Sequence, residues 1–181
     1  MCRGFEIVNA DHRTLPAEAV NLPIRGTRTS AGYDFVTTED LVIEPQQKVK
    51  FKTDVKAYMK PDEVLLITVR SSMGIKNDLM ISNTLGVIDS DFYENIDNDG
   101  NIVISLRNLK PAVESAGEFI TVKDVEGKTH KILSMVDKTE ANTIFIERGT
   151  RIAQGVFVKF LESDNCNTGN ERVGGVGSSG K

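Results

Sequence analysis

Asp89 stands in Gly86-Val87-Ile88-Asp89-Ser90-Asp91-Phe92-Tyr93, behind an apolar pair and ahead of an aromatic one. A carboxylate in such a place takes a proton from water, and the neighbouring ring packs on a flat or ring-shaped ligand. Arg70-Ser71-Ser72-Met73-Gly74 collects a guanidinium and two hydroxyls beside a turn glycine. Such donors converge well on phosphate oxygens. Taken alone, a surface ion pair for Arg70 with the serines as turn residues is the simpler account. Gln154, in Arg151-Ile152-Ala153-Gln154, offers an amide to a phosphate or, as readily, to a neighbouring strand. Asp34, in Ala31-Gly32-Tyr33-Asp34-Phe35, reads alone as a turn or strand-end aspartate, and Phe92 as core packing.

The run Arg172-Val173-Gly174-Gly175-Val176-Gly177-Ser178-Ser179-Gly180-Lys181 offers backbone N–H groups that curl round phosphate oxygens, with Arg172 adding a fixed charge. Its last seven residues fit the start of a P-loop, but that motif needs a buried strand before it and a helix after it. A lid or a plain tail is the expectation instead. Asn95-Ile96-Asp97-Asn98-Asp99-Gly100 imitates half of a calcium loop. The twelfth position, which must be a bidentate Glu, is Leu106. A β-hairpin with an Asp-Gly turn is expected there. His12 and His130 sit at no ligand spacing and read as surface or packing residues.

Short strands must position these groups. Val49 and Phe51 alternate with lysines, and Ile102, Ile104 and Leu106 with Val103 and Ser105. Val64-Leu65-Leu66-Ile67-Thr68-Val69 predicts a strand buried on both faces. Phe119–Val122, Ile144–Ile146 and Val156–Phe160 read the same way, with turns at Glu44-Pro45, Lys60-Pro61, Asp99-Gly100 and Arg148-Gly149. Only Ser72 to Leu79 suggests a short helical turn. The pattern predicts an all-β sandwich or jelly roll. Residues 1–162 form the expected domain, residues 110–142 a surface insertion within it, and residues 163–181 a mobile Gly/Ser-rich arm.

A chain of 181 residues with 39% hydrophobic content can bury its own core. A net charge of −4 predicts no broad nucleic-acid surface. Two cysteines, Cys2 and Cys166, exclude a disulfide framework and point to a reducing cytoplasm. No run of about 18 apolar residues predicts a membrane span.

In this order, the segments Ala31–Phe35, Arg70–Gly74, Gly86–Tyr93, Arg151–Gln154 and Arg172–Lys181 resemble the five motifs of the all-β deoxyuridine triphosphate nucleotidohydrolase (dUTPase) family, from about Leu22 to the last residue. The insertion between the third and fourth motifs resembles phage-type members. The resemblance implies a jelly-roll or β-barrel fold, and hydrolysis of dUTP to dUMP and pyrophosphate that keeps uracil out of DNA. It makes Asp89 the general base for the water attacking the α-phosphorus. It gives Arg70, Ser71, Ser72, Gln154, Arg172, Gly177, Ser178 and Ser179 to the phosphates. Asn83, Ile88, Phe92, Tyr93, Val103 and Val176 go to base and sugar, Val103 through its backbone. Val176 replaces the ring that stacks on uracil in relatives, so closure should be weaker. Mg2+ is implied on the triphosphate, with no direct protein ligand; Asp34 supports it indirectly, by orienting water or an arginine. The implied assembly is a homotrimer with shared active sites, in the cytoplasm of a bacterium or a phage-infected host cell.

Two rivals follow from the same resemblance. dCTP deaminase shares the Arg-Ser-Ser motif, but its catalytic glutamate corresponds to Ser105 here, and Ile75 replaces a further arginine. A regulatory interaction protein is the other: some phage-type relatives bind a repressor through this insertion, with or without catalysis.

Overall fold

The computed structural model describes residues 2–112, 117–123, 129–135, 142–165 and 174–175. In chain order the strands are β1 (Gly4–Ile7), β2 (Ile24–Arg25), β3 (Tyr33–Val36), β4 (Leu41–Ile43), β5 (Lys48–Lys52), β6 (Val55–Tyr58) and β7 (Glu63–Val69). The α-helix α1 (Ser71–Asn77) follows. Then come β8 (Leu79–Ile81), β9 (Gly86–Asp89), β10 (Val103–Asn108), β11 (Gly117–Lys123), β12 (Thr129–Met135), β13 (Ile144–Ile146) and β14 (Arg151–Lys159). The fold is the all-β jelly roll expected from the sequence.

Every strand pairing is antiparallel. The largest sheet runs β2-β3-β14-β7-β9 and a smaller one β5-β10-β8; β1-β6, β13-β4 and β11-β12 form two-stranded pairs. Phe35, Phe51, Leu65, Ile67, Ile81, Ile104 and Ile152 belong to one continuous core fed by both larger sheets. Gly155 permits the central contact: a Cβ there would lie 2.9 Å from both Leu65 Cδ1 and Phe35 Cε2. At the sheet's rim Phe5 packs edge-on against Tyr33 and Phe35, with centroids 5.3 and 5.6 Å away.

Two expectations need correction. β7 is not buried on both faces: Glu63, Leu65 and Ile67 are buried, whereas Val64, Leu66 and Thr68 are half-buried. Likewise Phe145 is exposed between buried Ile144 and Ile146 in β13, and Val158 and Phe160 are exposed at and just beyond the end of β14. An antiparallel strand with one face on the core alternates in this way, even inside an apolar run. The Asp99-Gly100 turn also closes no hairpin, because β9 pairs with β7 while β10 pairs with β5 and β8. The segment between them is a loop shaped by its own side chains. Asn95 Oδ1 accepts the N–H groups of Asp97 and Asn98, and Asn95 Nδ2 donates to the Phe92 carbonyl. Gly100 has φ +77°, and a Cβ there would meet the Phe92 carbonyl oxygen at 2.9 Å. Asp99 is used differently, receiving the buried Lys56 ammonium at 3.1 Å, with Glu94 at the same distance. Burial disfavours the Lys56 charge, but its hydrogen bonds to Asp99 and Glu94 outweigh this and raise its pKa.

α1 carries out the short helical turn, closed by Asp78 in the left-handed region, whose N–H donates to the Met73 carbonyl. The Pro45 and Pro61 turns close with Gln47 N–H to the Glu44 carbonyl and Glu63 N–H to the Lys60 carbonyl. The insertion contains a hairpin, β11 against β12, in register from Gly117 opposite Met135 to Lys123 opposite Thr129. The expected mobile arm lies outside the described residues except at its start and at Gly174–Gly175.

Candidate active site

β7 ends at Val69, and Arg70 turns the chain into α1 with its N–H bonded to the Ile152 carbonyl of β14 at 2.9 Å. Its side chain reaches back to β3, where Asp34 Oδ1 lies 3.1 Å from Arg70 Nε. Asp34 Oδ2 meets Arg151 Nη1 at 3.5 Å. Asp34 is buried while both arginines remain partly exposed, so the carboxylate sits behind them and holds two cations towards solvent. A register shift between Arg151 and Ala153 frees Arg151 for this contact. Gln154 lies directly opposite Asp34 on one side and Thr68 on the other. Its side chain covers Gly32, where a Cβ would come within 2.7 Å of Gln154 Oε1. Ser71 opens α1, exposed beside Arg70, and Ser72 follows half-buried. One end of the largest sheet thus carries two guanidinium groups, two hydroxyls and an amide, a donor set suited to phosphate oxygens.

The second assembly lies where the sheets part. The turn after β8 crosses from the smaller sheet to β9 in the larger one. It is tight: Thr84 has φ +64°, Leu85 N–H donates to the Asn83 carbonyl at 2.7 Å, and Thr84 Oγ1 to the same oxygen at 2.6 Å. A cavity of about 410 Å³ opens there, lined by Asn83, Ile88 and Val103 among other residues. That volume is in the range of small-ligand sites. Ser82, Ser105 and Lys50 also line it. Asp89, next to Ile88, is exposed at the end of β9.

Phe92 and Tyr93 lie apart from the cavity lining. Phe92 is buried in a single 3-10 turn, Ser90–Phe92. Tyr93 donates its phenol to Glu6 Oε2 at 2.6 Å, packs on Tyr58 and carries Lys56 5.0 Å from its ring centroid. The hydrogen bond to Glu6, together with burial, pushes the phenol well above its ordinary range. Of the glycine-rich terminus, Gly174 and Gly175 are described: both are buried, and Gly175 N–H donates to Asp97 Oδ2 at 2.6 Å. Arg172, Val176, Gly177, Ser178 and Ser179 lie outside the described residues.

Arg70 and Asp89 do not meet within one chain. In the β7–β9 register Asp89 is opposite Val64, near the start of β7, whereas Arg70 follows its last residue. Six residues of extended strand place them roughly 20 Å apart. Sequence reasoning supplied Asp34, Arg70, Gln154, Asn83, Ile88 and Val103. It assigned nothing to Lys50 and Ser82, and gave Arg151 no role of its own. The alternation around Lys50 marks it as outward-facing, but only the strand register brings it to this cavity.

The sequence profile of the dUTPase family matches residues 18–112. The deoxyuridine 5'-triphosphate nucleotidohydrolase of Lactococcus lactis is 34% identical over 180 residues, covering 98% of this chain and 97% of that protein. Among solved structures, the dUTPase of Streptococcus mutans superposes with a TM-score of 0.64 at 33% identity, over 90% of this chain and 99% of the other. The dUTPase of phage phi11 of S. aureus, whose structure displays a species-specific insert, gives 0.63 at 26% identity, over 94% and 97%. A mutant of that phage enzyme coordinates a structural Mg(II) ion. A family profile matching half the chain, a relative aligned end to end and a shared jelly roll lead to one conclusion: the chain belongs to the dUTPase family, the nucleotidohydrolases of deoxyuridine triphosphate.

Proposed function

We propose that this chain hydrolyses dUTP to dUMP and pyrophosphate at sites each assembled from more than one copy of itself. The observation that carries the reading is the separation along β7. A triphosphate held by Arg70 cannot present its α-phosphorus to an Asp89 roughly 20 Å away. Closed rings of identical subunits solve this by joining the Arg70 end of one copy to the Asp89 end of the next. Exposed apolar residues such as Val42 and Phe145, directly opposite each other on β4 and β13, supply surface for such contacts. A homotrimer with three shared sites fits best, each closed by the arm of residues 163–181.

In this reading the base enters the cavity lined by Asn83, Ile88 and Val103, with Phe92 and Tyr93 backing the sugar side. Arg70, Ser71, Ser72 and Gln154 of a neighbouring copy hold the phosphates. Asp34 keeps Arg70 extended, and Arg172, Gly177, Ser178 and Ser179 close over the phosphates while Val176 covers the base. Asp89 takes a proton from water as the water oxygen bonds to the α-phosphorus. The bond to the bridging oxygen breaks, and its electrons leave with pyrophosphate. Among the described residues no cluster of His, Cys, Asp and Glu could cage a metal. In this reading Mg2+ rides on the triphosphate, whose charge it neutralises. The pool it acts on in this reading is that of the cytoplasm; among the described residues no helix is long and apolar enough to cross a membrane.

Pyrophosphate release with Mg2+ from dUTP, dCTP, dTTP and UTP tests the reading. Turnover is expected for dUTP alone, and Asp89→Ala should lower it by about 10²–10⁴-fold. Folded wild-type protein that leaves dUTP intact would refute it. A second role is favoured by the insertion: β11 and β12 pair with each other and, among the described residues, with no other strand. A strand pair with no further strand partner suits contact with another protein, and a repressor is the partner proposed.

A further inference from the structure

Lys50, Ser105 and Ser82 stand in one row across the smaller sheet. Lys50 on β5 is directly opposite Ser105 on β10, so the two side chains share a face with Cβ atoms about 5 Å apart. On the far side of Ser105, the Ser82 N–H donates to its carbonyl at 2.8 Å, and the two hydroxyl oxygens also lie 2.8 Å apart. All three line the 410 Å³ cavity, whose remaining wall is apolar apart from Asn83. Three polar side chains therefore converge on one wall of an otherwise greasy pocket.

Their chemistry is unequal. Two hydroxyls hold two hydrogens, and one is spent between them. Either serine can be the donor, so the pair offers a ligand a donor or an acceptor and selects neither. An ammonium has three donors and no acceptor. Among the described residues no carboxylate forms an ion pair with Lys50. A donor-only group at this wall matches an exocyclic carbonyl and leaves an exocyclic amine facing it without a partner. Uracil carries carbonyls where cytosine carries one carbonyl and one amine. Building on the dUTP reading above, we infer that Lys50 is a specificity-determining residue, which sets the Ser82–Ser105 pair as an acceptor-seeking wall and so separates uracil from cytosine.

An outward lysine on an edge strand also discourages stray strand pairing, and any lysine near an anionic substrate attracts it. Lys48 provides the control. It alternates on the same face of β5, opposite Arg107, and does not line the cavity. The experiment compares wild type, Lys50→Met, Lys50→Arg and Lys48→Met by kcat/KM for dUTP and dCTP and by equilibrium affinity for dUMP and dCMP. Lys50→Met should reduce the dUTP-to-dCTP ratio about 10- to 100-fold, the worth of a hydrogen bond to a charged group. Its dUMP affinity should fall while dCMP affinity holds. Lys50→Arg should keep most of the preference, and Lys48→Met all of it. An unchanged ratio in Lys50→Met, or an equal fall in Lys48→Met, overturns the inference. Wild type that turns over no dUTP defeats the proposed activity alone. The monophosphate affinities then decide: a dUMP preference abolished by Lys50→Met upholds Lys50, and no preference in wild type overturns it.

Discussion

Glu63 is a carboxylate at the first position of β7, buried and paired with Arg3 through both side-chain oxygens. It also accepts the Lys60 N–H at 3.2 Å. The hydrogen bonds from Arg3, aided by that backbone bond and opposed by burial, lower its pKa from 4.5 to about 2. A folded-state pKa below the unfolded one stabilises the protein fully above the unfolded value, and the gain disappears as pH falls through the folded value. Thermal midpoints of wild type and Arg3→Ala should therefore differ most above pH 4.5 and converge as pH drops towards 2. A gap that stays constant across that window would show that the pair contributes through packing alone. Residues of this kind are invisible in the sequence, because nothing local links position 3 to position 63. Asp89, Arg70 and Asn83 stand out, in contrast, because each sits in a short run whose composition already suggests chemistry. Lys50 lies between these cases: its outward direction is legible from Val49 and Phe51, its neighbour Ser105 is not.

At the scale of elements, alternation exposes β5 and β10 directly, and proline or glycine turns mark their ends. β9 shows where local signals run out. An Asp-Gly pair between two apolar runs predicts a hairpin, yet β9 leaves for β7, and Asn95 rather than cross-strand pairing shapes the intervening loop. Pairing partners are settled by the shared core, which draws Ile67 and Ile104 together from different sheets. The insertion is more independent. Asn142 Nδ2 donates to the Pro111 carbonyl at 2.9 Å, and Asn108 Nδ2 to the Asn142 carbonyl at 2.8 Å, so its two ends are already tied together. Replacing residues 113–141 by a short glycine linker should change the unfolding free energy by about 1 kcal/mol or less. Denaturant unfolding followed by dUTP turnover measures this. Loss of several kcal/mol would mean that the hairpin is part of the core. If the repressor reading is right, the shortened chain should keep turnover and lose that partner.

On the scale of the whole molecule, the jelly roll is a spacer as much as a container. Its largest sheet keeps Arg70 and Asp89 apart, and a buried Asp34 stiffens the arginine end. Motif order along the sequence gives no hint of this, since Arg70 and Asp89 are close neighbours in the chain. The antiparallel return of β9 along β7 is what sends them to opposite ends. With sites shared between copies, as proposed above, inactivation becomes a property of chains rather than of sites. Arg70→Ala and Asp89→Ala proteins should each be inactive, but unfolding and refolding them together at equal amounts should restore about a quarter of wild-type turnover, because random assembly joins an intact arginine end to an intact Asp89 end in that fraction of interfaces. In a cell carrying both alleles, two broken genes would then complement each other.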